Sequence, residues 1–455
     1  LLASSQPALT FRQTLGQLRD SRFLAILLFG FCSGFPWVLH GSVLTLWLQE
    51  SGLSRSAIGF FGAIATVYAL NWMWAPFVDR LPLPFFTRRL GQRRSWIMLC
   101  LMLMALCVLG LATSDPSDNL VRVSLFALAI AVLSATLDIS VDAYRITLFS
   151  RAEMDAKMPY AAAMSTAGWW AGYGFIGGAF AIALGGETIG MSWDRVYLVL
   201  VGVIGGLILL VPLTPRPVSE DEEAATALAA RTEATSVGNW LQTTLIAPFA
   251  EFFRRCGFQL ALSILLFLLL FRLGEAMLGR MSLVFYVEVG FSRDEISLYQ
   301  QFFGGLVTVG FSILGAMINT RFGVIRGLFV AGVAMASANL MFALIAVVGP
   351  NVNLLMLALF VDNFFQAFAT VAFVSFISYF TSRTYTGTQY ALLASISNFG
   401  RTTLAAGSGF VIDALGGDWA TFFILTTFMV LPGLALLVWV GRLLPAYSEK
   451  RAPGG

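Results

Sequence analysis

The stretch LSATLDISVDAYRITLF (133–149) closes a long apolar run and decides how the chain is read. It sets Asp138, Asp142 and Arg145 among residues that otherwise belong in hydrocarbon. Asp138 and Asp142 are spaced i, i+4, and Arg145 is i+3 from Asp142, so a helix carries all three on one face. Ionisable groups inside a bilayer are costly and face a cavity or a partner. Two carboxylates one turn apart repel, and a nearby guanidinium pulls the other way, so the proton affinity of either depends on conformation. The same residues also fit a static ion pair, Asp142 with Arg145, that holds a gate near the end of the helix.

The rest of the chain supplies the hydrocarbon setting. Of 455 residues, 58% are hydrophobic and 12% charged, with a mean hydropathy of +0.80. Soluble globular proteins carry about 25% charged residues. Long unbroken apolar runs, rather than short alternating ones, indicate an all-α integral membrane protein and not a barrel. A bilayer core about 30 Å thick needs about 20 apolar residues. Twelve segments reach that length, near 24–48, 57–78, 95–113, 122–148, 160–184, 195–213, 258–288, 296–318, 327–349, 353–379, 388–411 and 420–443. The first is too long for a signal-peptide core and reads as a retained helix. A net charge of +3 gives no argument for a nucleic-acid partner. Cys32, Cys100, Cys107 and Cys256 form no CxxC pair and His40 is the one histidine, so neither a metal site nor a disulfide framework is expected. No nucleophile–base set appears either, which argues against a membrane enzyme.

Orientation follows from the connections. Arg80, Arg88, Arg89, Arg93 and Arg94 crowd the second one. Placing the even-numbered connections and both tails on one side puts 21 of the 28 Lys and Arg there, against four on the other. That asymmetry predicts cytoplasmic termini. The longest connection divides the spans six and six. The expected organisation is a cytoplasmic segment (1–22), a six-helix bundle (23–213), a cytoplasmic linker (214–257), a second six-helix bundle (258–444) and a cytoplasmic tail (445–455). The linker ends in NWLQTTLIAPFAEFFRRC (239–256), which predicts an amphipathic helix lying on the membrane face, as do residues 8–20. The halves also echo each other. ESGLSRSAIGFF (50–61) matches EVGFSRDEISLY (288–299), and MPYAAAMSTAG (158–168) matches TQYALLASISN (388–398). Two parallel six-helix repeats resemble the major-facilitator architecture, in which the halves rock about a midplane site.

In that architecture spans 1, 4, 7 and 10 line the central cavity, and the intramembrane charges follow them. His40 lies in the first, Asp138, Asp142 and Arg145 in the fourth, Arg272, Glu275 and Arg280 in the seventh, and Asp362 in the tenth. Asp138, Asp142, Glu275, His40 and Asp362 are the proton-coupling candidates, Asp138 first because it lies nearest the midplane. Arg272 and Arg280 are candidates for holding an anionic group of a substrate. Arg272 and Glu275, three residues apart, equally fit mutual neutralisation. Trp37, Trp169, Trp170 and Tyr173 are candidates for stacking on sugar or other ring faces, or for packing. Asn363 and Gln366 extend the polar face of the tenth span. Arg401, off the four cavity helices, reads as a packing anchor. Gly30 and Gly34, with Gly168, Gly172, Gly174, Gly177 and Gly178, predict close approach of helices.

The second connection, WAPFVDRLPLPFFTRRLGQRRSW (74–96), resembles the major-facilitator loop signature in which Asp79 and a run of arginines latch a cytoplasmic gate. Here the run is Arg80, Arg88, Arg89, Arg93 and Arg94, with proline-rich residues inserted. Together with GFCSGFP (30–36), SATLDISVDAYR (134–145) and TGTQYALLASISNFGR (386–401), it makes nearly the whole chain similar to the AmpG-type permeases of the peptide–acetyl-CoA transporter branch. The resemblance implies a proton-driven, monomeric importer of anhydromuropeptides (GlcNAc-anhydroMurNAc peptides) across the bacterial inner membrane. Such import feeds peptidoglycan recycling and β-lactamase induction, with no cofactor beyond the proton gradient. The implied partners are a small amphiphilic or sugar–peptide substrate, protons and the lipid bilayer. Two positions depart from the family pattern: Leu137 stands where Gln is common, and Gly168-Trp169-Trp170 where Gly-Tyr-Arg is frequent. The added rings suit a siderophore as an alternative substrate. A non-transporting sensor or assembly factor is the alternative outside transport.

Overall fold

Helix follows helix along the chain in the computed structural model, which describes residues 16, 19–53, 61, 63–175, 177–185, 189–218, 246–291 and 304–449. In order these are α1 (Ser21–Glu50), α2 (Ala75–Arg80), α3 (Gln92–Ala112), α4 (Leu120–Thr147), α5 (Met154–Gly185), α6 (Trp193–Leu213) and α7 (Ala247–Cys256). The second half continues with α8 (Phe258–Ser282), α9 (Gly305–Phe322), α10 (Val324–Val348), α11 (Val352–Phe380), α12 (Thr386–Phe399) and α13 (Trp419–Pro445). All but α2, α7 and α12 are long and apolar enough to cross a membrane, ten helices among the described residues. Asp20, Asn119 and Asn351 each accept a hydrogen bond from a first-turn amide at the heads of α1, α4 and α11, which satisfies N–H groups that have no partner within the helix. Large apolar side chains such as Leu106, Leu125, Leu209 and Val347 stay exposed. That surface suits lipid rather than water.

Two expected spans do not appear among those ten. The segment expected at 57–78 shows tight turns at Ala63–Thr66 and Asn71–Met73 before Pro76 opens α2. The segment expected at 388–411 begins as α12, widens into a π turn at Gly400–Leu404, tightens at Ala405–Gly407 and resumes at Ser408–Ala414. Two more π turns interrupt α1 at Val38–Ser42 and α5 at Ala171–Phe175; the second of these matters for the repeat. The spacing between the echoed motifs 158–168 and 388–398 carries that turn to within one residue of Gly400–Leu404. The repeat is therefore visible in backbone irregularity as well as in sequence. The other echoed pair, 50–61 with 288–299, and the predicted N-terminal helix at 8–20 fall largely outside the described residues. So does most of the linker. Its described end, α7, buries Pro248, Phe252 and Cys256 at i, i+4 and i+8, the single apolar face expected of an amphipathic helix.

The segments before residue 219 and after residue 245 pack across a seam. α5 lies against α9 and α11, and α12 lies against α4 and α2. Within the first half, α1 and α5 approach until backbone meets backbone. Gly34 faces the Trp169 carbonyl, Gly168 faces the Leu27 carbonyl, and a Cβ on Gly168 would sit 3.0 Å from the Gly30 Cα. Only glycine permits that approach. Gly168→Ala should therefore force the helices apart, costing about 1–3 kcal/mol as overpacking does. It should lower the thermal midpoint of the detergent-purified protein. Gly202→Ala on α6, where nothing lies within 4 Å, should leave the midpoint unchanged or slightly raised. Equal midpoints for the two variants would contradict the packing.

Candidate gate and substrate cavity

The arginine-rich connection builds a seal at one end of the seam. In the last turn of α2 lies Asp79, whose carboxylate reaches across to the first turn of α12. It accepts from the Gly387 amide (3.0 Å), the Thr388 amide (2.6 Å) and the Thr388 hydroxyl (2.5 Å). Arg93 at the head of α3 donates to the same carboxylate at 2.6 Å, with both side chains almost wholly buried. An anion at a helix N-terminus meets unsatisfied amides and the positive end of the helix dipole. Position 387 must be glycine for this approach, since a Cβ there would sit 2.7 Å from Asp79 Oδ1.

Four more contacts cross at or near the same end. Arg80 donates to the Tyr385 hydroxyl (3.1 Å), Arg383 to the Phe149 carbonyl (2.6 Å) and Ser395 to Asn71 Oδ1 (3.1 Å). The Arg145 guanidinium lies over the Tyr390 ring at 5.1 Å while holding Asp142 at 2.6 Å. Beside them, Glu153 takes hydrogen bonds from Lys157 (2.6 Å), Ser150 and Arg22 (3.1 Å). Those donors, Lys157 foremost, hold its carboxyl down at about 2. This group stays charged at any physiological pH, so a proton response must come from elsewhere.

Of the residues predicted to latch the gate, the structure brings Asp79, Arg80, Arg93 and Arg145 to the seam. Arg88 and Arg89 are exposed. Arg94 is bound within its own half, to the Leu90 and Thr214 carbonyls at 2.7 Å each. Sequence reasoning missed the receiving side. Gly387, Thr388, Tyr385 and Arg383 sit in or beside the motif TGTQYALLASISNFGR, and nothing in their spacing pointed to Asp79.

Deeper in the first half, Asp138 is partly exposed and accepts from Ser33 of α1 at 2.6 Å. No ion pair reaches it among the described residues. His40 is buried and shares a hydrogen bond with the Tyr68 hydroxyl at 3.0 Å. Rings line the same region. Trp37 stacks on Tyr68 at 4.5 Å, Trp169 lies 6.4 Å from Trp37, and Tyr173 and Trp170 lie 5.0 and 5.4 Å from Trp169. Trp37, Trp169, Trp170 and Tyr173 each keep part of their surface exposed. Leu137, the first departure from the family pattern, is fully buried in the core of this half. It takes no part in the aromatic surface.

In the second half, Arg272 donates to both Glu275 oxygens, at 3.0 and 3.3 Å, and lies 3.4 Å from the Thr370 hydroxyl. Gln366 donates to Asp362 Oδ2 at 2.9 Å, while Oδ1 is buried without a hydrogen-bond partner. Asn363 turns back to the Leu359 carbonyl at 2.8 Å and accepts from Thr308 at 3.4 Å. Arg280, two turns beyond Arg272, is exposed.

Two packed halves, a seal at one end and charges held in the interior define a transporter of the major-facilitator fold. Among solved structures, the FucP transporter in its outward conformation is similar, with a TM-score of 0.66 at 14% identity, covering 92% of this chain and 99% of that one. The sequence narrows the class. A family model described as Acetyl-coenzyme A transporter 1 matches residues 22–189. The putative transporter AmpG 4 of Rickettsia felis is 31% identical over 93% of this chain and 97% of its own. The anhydromuropeptide permease of Escherichia coli K12 is 27% identical over 94% of this chain and 81% of its own. The chain belongs to the AmpG family of multi-pass membrane transporters.

The seal generates a direct test. Removing one charge from a buried pair costs about 3–5 kcal/mol, enough to shift a two-state equilibrium more than tenfold. With Asp79→Asn, a cysteine introduced as Ser395→Cys at the seam should react with a small maleimide at least about tenfold faster. An unchanged rate would remove Asp79 from the latch.

Proposed function

We propose that the chain uses the proton gradient to import anhydromuropeptides across a bacterial inner membrane. It works as a monomer with cytoplasmic termini and needs no cofactor. The rocking units are the halves 23–213 and 258–444, the sealed end faces the cytoplasm, and the arrangement described above is the outward-facing state. The arginine asymmetry of the connections supports that orientation.

The observation that carries proton coupling is Asp138. It is a carboxylate deep in α4, hydrogen-bonded to Ser33 and lacking a cation, whereas Asp142 one turn away is neutralised by Arg145 at 2.6 Å. Asp138 lies on α4, which packs against α12 of the other half, so rocking of one half against the other changes the surroundings of Asp138 and with them its hold on a proton. That alternation links proton flow to conformation. The permease name of the Escherichia coli relative supports the substrate class. The exposed ring faces of Trp37, Trp169 and Tyr173 suit sugar faces, and the charged cluster of the second half suits a peptide. The same rings favour a second reading, a ring-bearing siderophore. A thermal-shift comparison separates the two: a muropeptide should raise the melting temperature and a ferric siderophore should not.

Asp138→Asn should mimic the protonated group. Uptake of muropeptide into proteoliposomes driven by an inward proton gradient should collapse, while exchange at equal pH on both sides persists. Asp142→Asn should weaken both modes, because it frees Arg145 at the seam. Normal gradient-driven accumulation by Asp138→Asn would move the coupling role to Glu275 or Asp362.

A further inference from the structure

The wide turn Gly400–Leu404 has a residue to present. Gly400 packs directly on the Leu269 carbonyl of α8, leaving no room for a Cβ, so residue 401 is fixed beside the turn of α8 that carries Arg272 and Glu275. Arg401 is exposed, not packed as the sequence predicts. Among the described residues it makes no hydrogen bond or ion pair. Its charge nevertheless interacts with those of both Arg272 and Glu275, which places it beside that pair. Arg272 is committed, held through Nε and Nη2 by Glu275. Those two charges cancel; Asp362, the other carboxylate near them, accepts from Gln366 and makes no ion pair with Arg401 among the described residues.

An unpaired arginine inside a membrane protein is costly, and the usual settings for one are a partner or an ion or substrate pathway. π turns are frequent at functional sites. The corresponding turn in the first half, Ala171–Phe175, holds Tyr173 and directly follows Trp169 and Trp170. The repeat thus places rings on one half and a free fork of N–H donors at the matching position of the other. We infer that Arg401, rather than Arg272 or Arg280, binds a carboxylate of the transported substrate through a two-pronged guanidinium–carboxylate pair. The inference rests on the importer reading above and deepens it: one half receives the sugar faces and the other the peptide's negative charge.

The test compares two probes on the purified full chain by calorimetry. One is GlcNAc-anhydroMurNAc-tripeptide with free carboxylates, and the other is its fully methyl-esterified form. Wild type should favour the acid by about ten- to hundredfold, as for a hydrogen-bonded charge. Arg401→Gln should bind both forms with the ester's affinity, and Arg280→Gln should keep the wild-type preference. A merely structural role for Arg401 would weaken both probes alike. Arg401→Lys keeps the charge and loses the fork, so it should show an intermediate ratio. It decides the matter if Arg401→Gln does not fold. A wild-type ratio in the Arg401 variants, or a wild type indifferent to esterification, would overturn the assignment and leave the importer reading standing. A wild type that binds neither probe would overturn both.

Discussion

One buried carboxylate holds the two halves together at their sealed end. Asp79 leaves α2, crosses the seam and occupies the N-terminus of α12, with four donors around it: Arg93, two amides and a hydroxyl. A buried charge is tolerable only when every lone pair is used, and here Asp79 meets that condition in the closed arrangement. The net gain is nonetheless small, because desolvation of both ions offsets most of their attraction. That balance suits a latch. It is specific enough to fix how α12 sits against α2 and α4, and, in the proposed importer, cheap enough to open when a ligand and a proton favour the other state.

Closure at this end explains why the interior charges differ so much in partnership. Arg145 and Asp142 lie near the seal and are paired, with the guanidinium over Tyr390 of the other half. Asp138, one turn deeper, accepts from Ser33 and meets no cation among the described residues. Arg272 and Glu275 neutralise each other, and Arg401 beside them does not share in the pairing. Groups without a counter-ion are the ones whose free energy changes most when a proton or a ligand arrives. In the proposed importer they mark where proton and substrate binding couple to motion.

Much of this was legible in the sequence. Apolar run length gave the helices, and helical spacing gave the pairs Asp142 with Arg145 and Arg272 with Glu275, because i, i+3 neighbours meet whatever the tertiary fold. The glycines of α1 and α5 announced a close approach, and the loop signature marked Asp79 and the run Arg80, Arg88, Arg89, Arg93 and Arg94 together. What stayed hidden depended on contacts across the seam. No local rule links Asp79 to Thr388, which lies 309 residues away. Arg88, Arg89 and Arg94 look equivalent to Arg93 in sequence and are separated from it only by how the loop and α3 rotate. Arg401 was misjudged for a related reason. It lies within the π turn Gly400–Leu404, where α-helical spacing no longer says which face a side chain takes.

Distances at the two ends of the seam test the rocking account most directly. Nitroxides attached through Arg88→Cys and Phe322→Cys report the sealed end, and through Asp118→Cys and Asn351→Cys the opposite end, in a background without native cysteines. Pulsed electron-spin distance measurements on Asp79→Asn should show the first pair moving apart by several ångströms and the second pair closing, relative to the same pairs with Asp79 intact. Unchanged distances, or both pairs moving in the same sense, would contradict a latch that trades one closed end for the other.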